Sequence, residues 1–240
     1  MMNKFQKLTC LTIGFGVFFG VTTFGLAQEN GNSLKQKFQA NLARAQQGDS
    51  NAQLSVGYAH ETGKGIGKNL KQAVLWYRKS AEQRNRIAQR NLGLCYEYGR
   101  GVNKDLTQAA AWYRKSADQG YARAQYNIAE CFKNGKGVTK DESQAAVWFL
   151  KAARQGYLSA QSAVADCFWL GTGVEKDFVA ARTWYTKAAE QGGPREQLRL
   201  AKYLAGSLAF EANEHRRTVQ RPLNGFLQQP TKDTRRVFGI

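Results

Sequence analysis

AQRNLGLCYEYGRGVNKDLTQAAAWYRKSADQGYAR, residues 88–123, decides the fold. Shifted by 36 positions it meets itself: Ala52-Gln53, Ala88-Gln89, Ala124-Gln125 and Ala160-Gln161 fall in one register. So do the glycine pairs Gly63/Gly65, Gly99/Gly101, Gly135/Gly137 and Gly171/Gly173. Trp76-Tyr77, Trp112-Tyr113, Trp148-Phe149 and Trp184-Tyr185 repeat likewise, each followed by Lys79, Lys115, Lys151 or Lys187. Self-similarity at a fixed period in this range is the signature of a solenoid.

One unit explains itself physically. Ala88, Leu92, Gly93, Cys95 and Tyr96 recur at helical spacing and predict the apolar stripe of a first helix, A. Gly99-Arg100-Gly101 ends it, because glycine accepts the left-handed backbone of a helix stop. A second helix, B, begins near Asp105, whose carboxylate suits the free amides of a first turn. Its stripe is Leu106, Ala109, Ala110, Trp112, Tyr113 and Ala117, with the Trp-Tyr pair expected to fill the core. Neither helix can bury its stripe alone, so stability must come from stacked neighbours.

These residues resemble the Sel-1-like repeats, relatives of the tetratricopeptide repeats. The resemblance is carried by A-x-x-N-L-G-x-x-Y-x-x-G-x-G-V-x-x-D at 88–105 and A-x-x-W-Y-x-x-x-A-x-x-G-x-A at 109–122, and covers about residues 34–206. It implies an all-α, right-handed superhelical solenoid of antiparallel helix pairs that serves as an interaction scaffold. Cysteine-rich relatives of this family carry two cysteines per repeat and imply a runner-up, a cell-envelope enzyme or regulator acting on peptidoglycan or β-lactams. This chain has one cysteine in each of the last three repeats and none in the first, where Ala59 holds the slot.

The domain plan follows from the register. Residues 1–27 read as a cleavable leader: Lys4 and Lys7, an apolar run from Leu8 to Phe19, then Gly25-Leu26-Ala27 before Gln28. Cleavage implies a periplasmic or secreted protein with no stable membrane span; a retained anchor is the alternative. Residues 28–51 are a capping half-repeat, with Leu34, Phe38, Leu42 and Ala45 on one helical face. Four repeats span 52–87, 88–123, 124–159 and 160–195. In the first, Arg84-Asn85 stands where later copies have glycine, and Asn85 is expected to take the left-handed turn. Pro194 opens a capping helix at 196–218 with a stripe of Leu198, Ala201, Ala205 and Leu208. Residues 219–240 are a basic tail.

The formal charge is +17, of which Lys4 and Lys7 account for two, leaving +15. Lys71, Arg78, Lys79, Arg84, Arg86, Arg114, Lys115, Arg123, Lys151 and Arg154 place most of it on helix B and the turns. Such a field favours acidic protein surfaces or envelope polyanions such as peptidoglycan over nucleic acid. Cys95, Cys131 and Cys167 share one slot on helix A. Stacked helices lie ~8–10 Å apart, whereas a disulfide needs Cα atoms within ~7 Å, so three free thiols are expected. No metal ligand set is evident, with only His60 and His215 present, and no catalytic or cofactor motif occurs. The chain reads as a non-enzyme that needs no cofactor.

Recognition should use the positions that the repeat leaves free. With the Ala of each copy as zero, offsets 0, 1, 4, 5, 7 and 8 form one face of helix A at 100° per residue. Offsets 2, 3, 6, 9 and 10 form the other, the expected concave groove. It carries Leu54, Ser55, Tyr58 and Glu61, then Arg90, Asn91, Leu94, Glu97 and Tyr98. Tyr126, Asn127, Glu130, Lys133 and Asn134 follow, then Ser162, Asp166, Trp169 and Leu170. Aromatic, amide and charged groups together suit capture of a protein or peptide segment. The expected function is an exported adaptor; a secreted host-interaction protein is a further alternative.

Overall fold

The computed structural model describes residues 32–206. The leader, the basic tail and the continuation of the last helix toward Arg216 lie outside the described residues. Among those described there are ten helices and no strand: α1 (32–46), α2 (Ser50–Thr62), α3 (Leu70–Glu82), α4 (Arg86–Tyr98), α5 (Leu106–Asp118), α6 (Ala122–Asn134), α7 (Glu142–Arg154), α8 (Leu158–Leu170), α9 (Phe178–Gln191) and α10 (194–206). The chain divides into two compact units, one ending at Gln155 and the other beginning at Gly156. In the first, α2, α3, α4, α5 and α6 each pack on the helix that follows, ending with α7. In the second, α8 packs on α9, and α10 adds Tyr203 and Leu200 to their core.

The helix ends follow the local chemistry. Each A helix stops at a left-handed glycine, Gly63, Gly99, Gly135 or Gly171. Each B helix starts on a side chain that accepts from the N–H three residues on, Asn69, Asp105, Asp141 or Asp177. The second glycine of the pair has a different task. Gly101 has φ +72°, and a Cβ there would lie 2.2 Å from the Leu70 carbonyl oxygen. Its bare backbone lets the preceding B helix approach. At the turn between α3 and α4 the structure corrects the sequence reading. Arg84, not Asn85, takes the left-handed conformation, with φ 64°. Asn85 is instead the N-cap of α4, accepting from the Ile87 and Ala88 amides.

The A stripe is buried as its spacing requires: Ala88, Leu92, Gly93, Cys95 and Tyr96 all face inward. Opposite them Tyr77, Tyr113 and Phe149 are fully enclosed. The tryptophans beside them behave differently from expectation. Trp148 is buried, but Trp76, Trp112 and Trp184 are only half-buried. The tryptophan sits one residue from the buried aromatic, about 100° round the helix, which puts it at the core's edge. There the lysine three residues on covers its ring, with Lys79, Lys115, Lys151 and Lys187 Nζ 4.1–4.7 Å from the ring centroids. Those lysines, exposed as they are, are cation–π partners that contribute ~0.5–1 kcal/mol each.

Polar rows join the repeats. The Gln89 Nε2 donates to the Ala81 carbonyl, and the Gln119 Nε2 donates to Gln89 Oε1 at 2.7 Å. Gln53 and Gln125 repeat both bonds with Ala45 and Gln83, and with Ala117 and Gln155. Ser80 and Ser116, fully buried, donate to the Ser50 and Arg86 carbonyls. Each gives a buried hydroxyl an acceptor, and leaving it without one would cost ~1–3 kcal/mol.

The stripe expected on the last helix is displaced. Leu198, Ala201 and Ala205 are exposed, and Tyr203 is buried with Leu200 and Arg199 half-buried on the same face. The Tyr203 hydroxyl donates to the Phe178 carbonyl at 2.6 Å. Leu208 lies outside the described residues.

Candidate functional site

Helix A presents its variable face away from the apolar stripe, and the structure sorts the predicted groove residues into two kinds. Some are engaged in holding the repeats together. The Tyr77 hydroxyl donates to Glu61 at 2.6 Å and the Tyr113 hydroxyl to Glu97 at 2.7 Å. Arg100 and Lys136, from the following loops, lie 3.5 and 3.6 Å from the same two carboxylates. Burial raises both phenol pKa values, and the carboxylate bond raises them further. In the second unit the Tyr185 hydroxyl donates to Asp166, which also accepts from Arg199 at 3.3 Å. Trp169 packs edge-on against Phe178 and Tyr203, and Ser162 is buried. Apart from the buried Ser162, these predicted groove residues are half-buried at the core's edge, already engaged by a neighbouring helix. At 100° per residue their offsets point outward, yet the long tyrosine and tryptophan rings reach round the helix and bring them in.

The repeats themselves held the signal for this device. Tyr77 pairs with Glu61, Tyr113 with Glu97, and where the third repeat has Phe149 it has Lys133. The hydroxyl and the carboxylate disappear together. Lys133 instead lies 3.9 Å from Glu130 and over the Phe149 ring.

The other predicted residues keep access to solvent. Tyr58 is 48% exposed and Tyr98 58% exposed. Lys64 lies over the Tyr58 ring and Arg100 over the Tyr98 ring. Leu94 is half-buried, as are Tyr126, whose ring lies 5.5 Å from Phe149, and Glu130. Arg90, Asn91 and Asn127 form one cluster: the Arg90 Nε donates to Asn127 Oδ1 at 3.2 Å and its Nη1 to Asn91 Oδ1 at 3.5 Å. The two asparagines, in one slot of successive repeats, thus share an arginine. Tyr58, Arg90 and Asn91 also line a cavity of about 620 Å³ in the first unit. Its other walls come from α1, from further residues of α2 and α4, and from Tyr121 and Arg123, the latter counted in the sequence only as part of the basic charge. The cavity was not legible because a capping helix and three A helices build it jointly.

The remaining reactive groups are quiet. Cys95 and Cys131 are buried free thiols, and burial, reinforced by Glu61 and Glu97 respectively, pushes each up to about 12. A thiol held protonated is a poor nucleophile at neutral pH. Cys167 is likewise buried and outside any disulfide. No cluster of metal-binding side chains occurs among the described residues.

A family model described as Sel1 repeat matches residues 50–85, 86–121, 122–157 and 158–193, more than half of the chain. The chain belongs to the Sel1 repeat family. The family frame starts each Sel1 repeat at the first residue of α2, α4, α6 and α8, two positions before the Ala-Gln frame. Among solved structures it is similar to a protective antigen of uropathogenic Escherichia coli with an SLR fold. That match has 40% identity and a TM-score of 0.65, and covers 66% of this chain and 34% of the antigen. A Sel1 repeat protein from Oxalobacter formigenes matches at 36% identity and a TM-score of 0.63, covering 66% and 65%. This Sel1 repeat chain therefore spans about a third of the length of the first relative and just under two thirds of the second. No curated protein matches it. Sel1 repeats typically serve as protein-interaction scaffolds.

Proposed function

We propose that this Sel1 repeat protein is an exported, non-enzymatic adaptor that captures a protein or peptide segment on the A-helix face of its first unit. The observation that carries the reading is the exposure of Tyr58 and Tyr98 on that face. Every apolar position of the A stripe in α4 is buried, whereas these two rings stand in solvent with a cation over each. Tyrosine of this kind supplies a large, stiff contact area and is enriched where proteins bind partners. The Asn91–Arg90–Asn127 cluster lies on the same face and offers amide groups to an extended backbone. The charge pattern and small-residue cleavage signal of residues 1–27 support export.

Panning a random peptide library against the wild type and against Tyr58→Ala/Tyr98→Ala tests the reading. Peptides selected on the wild type should bind it at micromolar affinity and the double variant at least tenfold more weakly. Equal binding by both proteins, or no enrichment at all, would refute capture on this face. Export is checked separately: the leader should direct a reporter fusion out of the cytoplasm, and retention of the fusion inside would overturn that part.

A further inference from the structure

The cavity on this face carries charge of one sign only. Lys37 of α1, Lys64 after α2, Arg90 of α4 and Arg123 of α6 line it, and no Asp or Glu does. Some other cations of the first unit have carboxylates within ion-pair distance, Arg44 with Asp49, Arg100 with Glu61, Arg114 with Asp118 and Lys136 with Glu97. Others, such as Lys71 and Arg154, stand apart from any acid of the described residues on open surface. Among the described residues none of the four cavity cations has such a partner within ion-pair distance. Arg90 is the informative one. Two asparagine amides orient its guanidinium without neutralising it, so a fork suited to a carboxylate is preset while its charge stays uncompensated.

The same walls are apolar between the charges. Leu34 and Ile87 are 43% and 40% exposed, beside the buried Phe38. The cavity volume is within the range of pockets that hold small ligands and short segments, ~300–1,000 Å³. A bare polyanion would satisfy the cations and leave Leu34 and Ile87 wet; a purely apolar helix would do the reverse. Residues 207–240 of this chain do not fit either, with six Lys and Arg against three acidic residues.

We infer that the cavity is the seat of an acidic protein segment in which an aliphatic side chain, placed on Leu34 and Ile87, is flanked by carboxylates that reach Lys37, Lys64, Arg90 and Arg123. This deepens the adaptor reading and rests on it. Association is steered by charge and weakens with salt, because the four cations are accessible before contact.

The test is fluorescence anisotropy with the labelled peptide Gly-Ser-Glu-Glu-Leu-Asp-Glu-Gly, beside its counterpart with Gln and Asn in place of Glu and Asp. The acidic probe should bind at least tenfold more tightly than the amide probe at low salt. Arg90→Gln/Arg123→Gln, and independently the surface pair Lys37→Gln/Lys64→Gln, should each lose at least tenfold. Lys71→Gln/Arg154→Gln, which removes the same charge away from the cavity, should bind as the wild type does. Equal affinity for both probes overturns the inference, and so does an equal loss in the Lys71/Arg154 control, which would mark a diffuse field. If neither probe binds while a library-selected peptide still depends on Tyr98, the acidic segment is refuted and the adaptor stands. If nothing binds, both fall.

Discussion

Exchanging the third repeat's Phe149/Lys133 pair for the Tyr/Glu pair of the first two probes how the repeats cohere. Phe149 is fully buried, and its position corresponds to Tyr113, whose hydroxyl donates to Glu97 at 2.7 Å. Phe149→Tyr alone therefore buries a hydroxyl where Lys133, a donor, hangs over the ring. Leaving that hydroxyl without an acceptor costs ~1–3 kcal/mol. Lys133→Glu alone loses an exposed ion pair with Glu130 and sets two acids three residues apart, a change of ~0.2–0.5 kcal/mol. The double substitution rebuilds a hydroxyl–carboxylate bond, so the two changes should couple favourably by ~1–2 kcal/mol. Urea unfolding of the four proteins, followed by helical circular dichroism, closes the double-mutant cycle. In thermal unfolding a coupling of that size appears as a few degrees, at ~2–4 °C per kcal/mol for a domain of this length. Coupling below ~0.5 kcal/mol, within the additivity of unrelated sites, would refute the claim that the tyrosine–carboxylate bond joins helix B to helix A.

Two further outcomes follow from the same contacts. Gly101→Ala should destabilise by ~2–5 kcal/mol, combining left-handed strain of ~1–2 kcal/mol with overpacking of ~1–3 kcal/mol against the Leu70 carbonyl. Gly120→Ala, at φ +80° with nothing within 4 Å of its Cβ, should cost only the strain of ~1–2 kcal/mol; equal losses in urea unfolding would refute the close-approach role of Gly101. Stability should also fall at alkaline pH. The Cys95 and Cys131 thiols ionise near 9.0 when unfolded and near 12 when folded, so above about pH 9 the unfolded chain binds fewer protons and ΔG of unfolding decreases. The slope approaches ~1.4 kcal/mol per pH unit for each thiol, the buried Tyr77 and Tyr113 adding with the same sign, and a flat profile from pH 8 to 11 would contradict their burial.

The period, the glycine stops of the A helices and the acidic starts of the B helices could be read from the chain alone. Each depends on residues a few positions apart: Asp105 meets the Gln108 amide, and Gly99 closes on the Cys95 carbonyl. Repetition then multiplied the signal, so that one clean copy interpreted three imperfect ones. Even so, the local reading misassigned the turn at Arg84-Asn85, because asparagine suits both a left-handed residue and an N-cap. The need to start α4 decided for the cap.

Which outward positions stay free was a tertiary matter. Glu61, Glu97, Asp166 and Trp169 point away from the apolar stripe by helical angle, yet rings from the paired B helix or from α10 engage them. The half-exposure of Trp76, Trp112 and Trp184 has the same origin, since one residue of rotation separates an enclosed ring from one at the rim. The cavity is the clearest case. Lys37, Lys64, Arg90 and Arg123 follow one another at intervals of 26 to 33 positions in the chain, on three helices and a turn. No local pattern could announce that they share one wall without a carboxylate between them; the stacking of one repeat on the next brings their charges together, and so decides what that face can hold.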